Sequence, residues 1–183
     1  ENTIAIIRLR AELEDHEPVF PADLAATFPQ IIEDQLLFYA TRKKQRTAEL
    51  EVLHSQYVQR AQEIEEEKNR KQQAERELGL ALQQVGMTQG LVARNLYSKV
   101  DFLNQQQKVA ALQGDISVLK ASIPKAEAAA QEALQKYELR KAEMNSQIVE
   151  EINKRRAELA SLTESLAAGS DRVTRTELKS PVR

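Results

Sequence analysis

Residues 91–103, LVARNLYSKVDFL, separate two long stretches in which apolar residues recur at heptad spacing. Ser98 and Asp101 stand at the spacing of a helix N-cap and its third residue, where the serine hydroxyl accepts a hydrogen bond from a backbone amide. Tyr97 and Phe102 flank this cap at the two positions of a hydrophobic staple. The pattern predicts that a helix begins at Ser98.

The helix upstream of this start carries apolar residues at seven-residue spacing. Such rows form the buried seam of a coiled coil, and two lysines weaken the main row without ending it. Gly86 and Gly90 follow the last heptad, and each lowers helix propensity by about 1 kcal/mol relative to alanine. The sequence therefore predicts a turn at residues 90–98. The main row comprises Leu36, Lys43, Leu50, Tyr57, Ile64, Lys71, Leu78 and Val85, and the companion row Tyr39, Leu53, Ala74 and Ala81.

The downstream helix continues the same periodicity. A four-residue shift after Met144 is a stutter, which locally unwinds a left-handed supercoil. Pro124 removes one backbone hydrogen bond, but the apolar rows carry on beyond it, so we expect a bend and not a break. The helix is expected to reach about residue 174. Its rows comprise Phe102, Val109, Ile116, Ile123, Ala130, Tyr137 and Met144, then Ile148, Ile152, Leu159, Leu162, Leu166 and Val173, with Leu112, Leu119 and Ala126 alongside.

The beginning of the chain contains a short helix and a proline-rich connector. Apolar residues at helical spacing occur in residues 1–16 and stop before Pro18. Residues 17–29 contain three prolines, which forbid a continuous helix because each lacks an amide hydrogen and restricts the residue before it. Thr27 and Gln30 stand at capping-box spacing, which predicts that the next helix starts there.

These patterns predict an all-α fold, in which a short helix and a long helix pack against one longer helix in an antiparallel coiled-coil hairpin. At 1.5 Å per residue, residues 30–89 span about 90 Å and residues 98–174 about 115 Å, and the short helix would cover the difference. The predicted parts are the short helix at residues 1–16, the connector at 17–29, the hairpin at 30–174 with its tip at 90–98, and a β-strand-like tail at 175–183.

Composition favours long helices with a narrow seam and argues against several classes of function. Charged residues make up 30% of the 183 residues, Trp and Cys are absent, and alanine inflates the hydrophobic fraction of 42%. A formal net charge of -2, with both signs interleaved, gives no reason to expect nucleic acid as a partner. No apolar stretch approaches the roughly 20 residues needed to cross a bilayer.

Two histidines and an acidic run are the main features that could suggest chemistry. His16 and His54 are far apart, and neither has a partner at metal-ligand spacing, so ordinary surface or seam positions are expected. Glu65, Glu66 and Glu67 would need a pocket to act as an acid–base pair, and a two-helix hairpin offers none. The sequence predicts a protein without enzymatic activity, bound metal or cofactor.

The apolar residues of the tip are the leading candidates for function. A two-helix seam covers only part of a cluster at the end of a narrow hairpin, so these residues either close the seam or form a docking surface for a partner helix. Arg94 and Lys99 would add polar contacts to such a surface. The candidate docking residues are Leu91, Arg94, Leu96, Tyr97, Ser98 and Lys99, and the seam residues that would hold the hairpin together are Leu50, Tyr57, Ile64, Leu78, Val109, Ile116 and Ile123.

Six short segments carry a family resemblance, and they lie at residues 8–12 (RLRAE), 18–24 (PVFPADL), 37–42 (LFYATR), 91–103 (LVARNLYSKVDFL), 123–128 (IPKAEA) and 175–182 (RTELKSPV). In this order they resemble the HlyD-type membrane fusion proteins, the periplasmic adaptors of type I secretion systems. Adaptors of the related drug-efflux branch carry Arg, Leu and Ser at the tip, with three and six residues between them. Leu91 and Ser98 match the last two of these, but Met87 occupies the arginine position.

The resemblance implies a hairpin inserted into a lipoyl-like β-domain, of which residues 177–182 would be the re-entry strand. It implies a periplasmic protein whose full-length form is anchored in the inner membrane. Members of the family assemble as hexamers on an inner-membrane ABC transporter and meet a TolC-like outer-membrane channel through their hairpin tips. The predicted function is an adaptor for type I protein secretion. The alternatives are an adaptor of a multidrug efflux pump and a generic coiled-coil scaffold whose tip only closes the seam.

Overall fold

The computed structural model describes residues 1–176, and every regular element within that range is helical. The prediction of an all-α hairpin is confirmed. Of the tail predicted at residues 175–183, the first two residues continue the last helix, and the others lie outside the described residues. The helices are α1 (Asn2–Leu13), α2 (Ala22–Thr27), α3 (Pro29–Ala93) and α4 (Lys99–Thr176).

The chain forms two compact units, and the two long helices contribute to both. The terminal unit contains Glu1–Leu50 and the chain from Leu139 onward, and the turn unit contains Glu51–Glu138. In the terminal unit, α1 packs with the beginning of α3 and the later part of α4. The turn unit consists of the end of α3, the turn, and the first half of α4.

In the turn unit, α3 and α4 run antiparallel. The ring centroids of His54 and Tyr137 lie 5.7 Å apart, and Ser122 Oγ donates a hydrogen bond to Glu67 Oε2 at 2.6 Å. Later residues of α3 thus contact earlier residues of α4, as expected for antiparallel helices. Helix α4 continues through Pro124 as one helix. Ile116, a predicted seam residue, is buried. The other predicted seam residues of this unit are half-buried, and they are Tyr57, Ile64, Leu78, Val109 and Ile123.

Three of the polar residues in the companion row of α3 lie three heptads from one another. Each of them hydrogen-bonds a polar side chain of α4 within its own unit. A polar pair in an apolar seam specifies the register of two helices, because a shift leaves both partners desolvated and without a hydrogen bond. The pairs are Arg46 with Asn145 in the terminal unit, and Glu67 with Ser122 and Thr88 with Gln105 in the turn unit.

The core of the terminal unit lies between α1 and α4. Leu9 and Ile148 are fully buried, Ile152 completes the cluster, and Leu13 packs against it. The four-residue shift in the heptad pattern of α4 directs its two isoleucines towards α1. A helix that packs against two neighbours needs a wider apolar face than a two-helix seam provides. The stutter in the sequence therefore marks the place where the third helix is added.

Helix α1 lies beside the first turns of α3. Arg8 Nε donates to Gln35 Oε1 at 2.7 Å, and the Tyr39 hydroxyl donates to the His16 carbonyl at 2.7 Å. The helix-length arithmetic placed the short helix ahead of α3, and this placement is wrong. Side-by-side packing lets α1 bury its apolar face against α4 while its polar face pairs with α3.

A charged cluster joins α1, α3 and α4 in the terminal unit. Arg8 is 2% exposed and Glu12 is 4% exposed, and Arg8 Nη1 lies 3.0 Å from Glu12 Oε2. Arg42 pairs with Glu12 at 3.0 Å and with Glu151 at 2.7 Å, while the Arg8 guanidinium lies 4.7 Å from the centre of the Phe38 ring. Burial lowers the pKa of Arg8, and the carboxylates of Glu12 and Glu151 oppose that shift.

The predicted capping box at the start of α3 is wrong. Thr27 is the last residue of a short helix, α2, within the predicted connector, and its hydroxyl donates to the Asp23 carbonyl at 2.7 Å. Pro29 is the first residue of α3, where its missing amide hydrogen has no helical partner to lose. The proline therefore marks the helix start, and the threonine belongs to the helix before it.

The buried seam is shorter than the predicted heptad rows. Helix α1 begins beside Arg155, whose Nη1 donates to Asn2 Oδ1 at 3.3 Å. Beyond that point on α4, Leu159 is half-buried and the later predicted seam residues are exposed. At the beginning of α3, two members of the main predicted row are exposed, whereas Tyr39 of the companion row is buried. The exposed members of the predicted rows are Leu36, Lys43, Leu162, Leu166 and Val173.

Candidate docking surface at the hairpin turn

The end of α3 is closed by a left-handed residue. Asn95 has a φ of 57°, the Leu96 amide donates to the Leu91 carbonyl at 2.9 Å, and the Asn95 amide donates to the Val92 carbonyl at 3.0 Å. These bonds form a Schellman motif, in which asparagine takes the place that glycine often occupies. The turn predicted at residues 90–98 is therefore confined to residues 94–98, and neither Gly86 nor Gly90 ends the helix.

The start of α4 is capped as the sequence predicts. Ser98 Oγ accepts a hydrogen bond from the Asp101 amide at 3.3 Å, and the Ser98 carbonyl accepts the first helical bond from the Phe102 amide at 3.1 Å. Asp101 also places a negative charge in the first helical turn, where it interacts favourably with the helix dipole. The turn thus has a defined backbone conformation at both ends.

A polar chain of three side chains links α3, α4 and the turn. Thr88 is buried, and its hydroxyl lies 2.8 Å from Gln105 Oε1, with the Gln84 carbonyl as a second acceptor at 2.9 Å. Gln105 Nε2 donates to the Tyr97 hydroxyl at 2.9 Å. We call this arrangement the clasp. Thr88 and Gln105 are not among the residues predicted from the sequence, although each companion row reaches them one heptad beyond Ala81 and Leu112.

The apolar side chains around the turn are exposed to different extents. Leu96 is 69% exposed and Leu91 is 41% exposed. The structure adds three further exposed apolar residues that the sequence analysis did not select, and two of them, Val100 and Leu103, lie on the first turns of α4. The turn surface, as we define it, comprises Met87, Leu91, Leu96, Val100 and Leu103, with Arg94 and Lys99 as its cations.

The six candidate docking residues therefore do not all take the same position. Arg94, Ser98 and Lys99 are exposed together with the two leucines, whereas Tyr97 is half-buried and its hydroxyl points to Gln105. The surface can bury apolar area on a partner and can donate hydrogen bonds from its two cations.

Neither histidine lies near the turn surface in sequence. The exposed His16 ring bonds the Glu17 carbonyl at 2.9 Å and the Glu14 carboxylate at 3.0 Å, and these bonds raise its pKa. His54 packs against two tyrosine rings of the turn unit. Within residues 1–176, no group of three or more His, Cys, Asp and Glu side chains has an arrangement that suits a metal ion. In the same range, no helix is both long and apolar enough to cross a membrane.

Comparison with known proteins identifies the hairpin. The profile of a family described as "AprE, long alpha-helical hairpin" matches residues 2–172. The chain belongs to this family. A solved structure, the soluble domain of LipC, a membrane fusion protein of a type I secretion system, superposes with a TM-score of 0.83 at 18% identity, over 99% of this chain and 71% of that chain. No curated protein matches the chain.

The match with the AprE-type hairpin confirms the family resemblance that the sequence motifs predicted. It extends over α1, α2, α3 and nearly all of α4. The structural likeness to LipC shows that the two chains share a fold. In this AprE-type hairpin, the turn surface lies at the end where the two long helices meet.

The left-handed residue of the AprE-type hairpin gives a test of the turn. Replacing Asn95 with valine is expected to lower the free energy of unfolding of the turn unit by about 1–2 kcal/mol, because a β-branched side chain clashes with the backbone at positive φ. Urea unfolding followed by circular dichroism measures this effect. Asn95→Gly is the matched control and should leave stability equal or slightly higher. Equal stability of the valine and glycine variants would contradict the assigned conformation.

Proposed function

We propose that the chain is the hairpin of an adaptor for type I protein secretion, and that its turn surface docks on a TolC-like outer-membrane channel. The observation that carries the proposal is the group of exposed apolar side chains around a turn whose backbone is capped at both ends. Membership of the AprE hairpin family supports the adaptor role, and so does the likeness to LipC, which is a membrane fusion protein of a type I secretion system.

The chemistry of the turn surface suits docking better than closure of the seam. Side chains that close a seam are covered by the opposite helix, yet Met87 is 72% exposed and Leu96 is 69% exposed. Burying apolar area on a partner contributes about 25 cal/mol per Å². A contiguous apolar patch with polar residues at its edge is typical of a protein–protein interface. Arg94 and Lys99 supply such an edge.

The proposed setting follows from the resemblance. The adaptor would lie in the periplasm, with its full-length form anchored in the inner membrane beside an ABC transporter that supplies the energy. Copies of the full-length protein would associate into a hexamer, and a protein substrate would pass through unfolded. A multidrug efflux adaptor is the second candidate, since Leu91 and Ser98 occupy two of the three tip positions of that branch. Met87 stands at the first of these positions, where that branch has arginine, and this departure favours secretion.

Charge introduced into the turn surface tests the docking proposal. Leu96→Asp and Leu91→Asp are each expected to weaken binding of the chain to a purified TolC-like channel in detergent by about thirtyfold, because each would bury a carboxylate in place of an apolar side chain. Arg94→Glu is expected to weaken binding less, since that residue lies at the edge of the surface. Surface plasmon resonance with the channel immobilised measures the affinities.

Leu80→Asp is the matched control for this experiment. Leu80 is 67% exposed and lies in α3 of the same unit, outside the turn surface. This variant should bind like the unmodified chain and should retain its helical circular dichroism spectrum. If Leu96→Asp and Leu80→Asp bound the channel equally well, the turn would not be the docking surface, and the scaffold alternative would be favoured.

A further inference from the structure

The clasp uses every polar atom of one glutamine side chain. Gln105 Oε1 accepts from the Thr88 hydroxyl, and Gln105 Nε2 donates to the Tyr97 hydroxyl. Thr88 is buried within the companion row of α3, and Gln105 is half-buried in the corresponding row of α4. The two polar side chains therefore replace apolar residues near the turn end of the seam.

Apolar residues at these two positions would be the simpler way to stabilise the hairpin. Ala81 lies one heptad before Thr88, and Leu112 lies one heptad after Gln105, and both are buried. Replacing a buried polar pair with packed apolar residues is often neutral or stabilising, whereas polar pairs select one arrangement among several. The clasp therefore selects one arrangement of the side chains next to the turn.

The backbone bonds of the turn do not by themselves fix the side chain of Tyr97. The Schellman motif fixes Asn95, and the N-cap fixes Ser98, but both act on main-chain groups. The hydrogen bond from Gln105 holds the tyrosine ring against the seam. The adjacent residue, Leu96, remains outside and exposed.

We propose that Gln105 is a positioning residue, which holds Tyr97 inward so that Leu96 and the rest of the turn surface are presented in one docking-ready arrangement. This inference rests on the proposed docking function. A surface ordered before binding loses less conformational entropy when the complex forms, and this raises the affinity without any contact between Gln105 and the partner. Thr88 acts in the same way through Gln105, because it fixes the orientation of the side-chain amide.

Removing the amide group tests the inference. In Gln105→Leu, hydrogen exchange at the Asn95 and Leu96 amides, which are bonded to the end of α3, should become roughly tenfold faster, since losing the bond to Tyr97 opens the turn locally. Affinity for the immobilised TolC-like channel should fall about fivefold. The midpoint of urea unfolding should stay unchanged, because leucine suits an apolar seam and the Thr88 hydroxyl can still donate to the Gln84 carbonyl, 2.9 Å away. A merely structural role would lower that midpoint and leave binding unaltered.

Gln106→Leu is the matched control, since Gln106 is exposed on the same helical turn. It should match the unmodified chain in exchange and in binding. Tyr97→Phe removes only the hydroxyl that accepts from Gln105, so it should reproduce the effects of Gln105→Leu. The double variant should show no further effect, because both changes break the same bond.

Failure of this inference differs from failure of the docking proposal. Wild-type exchange rates at the Asn95 and Leu96 amides in Gln105→Leu, or additive effects in the double variant, would overturn the positioning role. Undiminished channel binding by Leu96→Asp would overturn docking itself. Faster exchange together with weaker binding in Gln105→Leu, Thr88→Val and Tyr97→Phe supports the inference.

Discussion

Replacing Ile148 with alanine is expected to lower the free energy of unfolding of the terminal unit by about 4 kcal/mol. Ile148 is 1% exposed and packs against Leu9 and Ile152, where α1 meets α4. The smaller side chain loses apolar contacts and leaves a cavity that helices held by several other contacts cannot fully close. Urea unfolding followed by circular dichroism measures the loss, and hydrogen exchange should show that the amides of α1 lose protection first.

The next residue along α4 provides the control. Val149 is 41% exposed, so Val149→Ala removes a similar number of carbon atoms from a position that leaves little cavity. We expect a change of about 0.5 kcal/mol for this variant. Equal effects of the two substitutions would show that α1 is not packed on Ile148 in solution.

Removing the buried carboxylate of α1 is expected to have the second largest effect. Glu12→Gln should lower the free energy of unfolding of the terminal unit by about 3 kcal/mol, because Arg8 then remains buried with only part of its counter-charge. Arg8 still has Glu151 at 3.7 Å, and Arg42 still has the same carboxylate at 2.7 Å. The measurements are those used for Ile148→Ala.

Two further variants separate the buried pair from charge in general. Glu150→Gln removes a carboxylate from an exposed position of α4 and should change stability by less than about 0.5 kcal/mol. Arg8→Met combined with Glu12→Gln should be less destabilising than the sum of the two single changes, since removing both charges leaves less uncompensated burial. Additive single effects would mean that Arg8 and Glu12 do not interact.

The regular parts of the fold could be predicted because their causes are local. Heptad spacing places Ile64 and Ile116 at the interface of α3 and α4, since seven residues make nearly two helical turns. Ser98 predicts the start of α4, because its hydroxyl accepts a hydrogen bond from a backbone amide that has no helical acceptor there. These rules depend only on residues close in sequence, and the structure follows them.

The remaining parts depend on contacts between residues far apart in sequence. The position of α1 is set by Leu9 on Ile148 and by Arg8 on Gln35, which no local pattern encodes. Gly90 was expected to end α3, but a penalty of about 1 kcal/mol is smaller than what the seam contributes over one more turn of helix. Asn95, which does end it, is also a common residue in left-handed positions.

In the candidate site too, only features with a local cause in the sequence could be predicted. Apolar residues at the end of a narrow seam lack cover, which predicts exposure of Leu91 and Leu96, and both lie at the surface. The same reasoning predicts exposure of Tyr97, yet its hydroxyl is held by Gln105. A glutamine in an apolar row gives no sign of which distant hydroxyl it will bond. The clasp is visible only in three dimensions.

The two polar pairs of the turn unit restrict how such a hairpin can change its length during evolution. Glu67 and Thr88 lie three heptads apart on α3, and their partners Ser122 and Gln105 lie opposite on α4. Residues inserted between Glu67 and Thr88 would separate one of the two pairs, unless a compensating insertion occurred between Gln105 and Ser122. Homologous hairpins of different reach should therefore differ by matched insertions in both arms, with each polar pair moving as a unit.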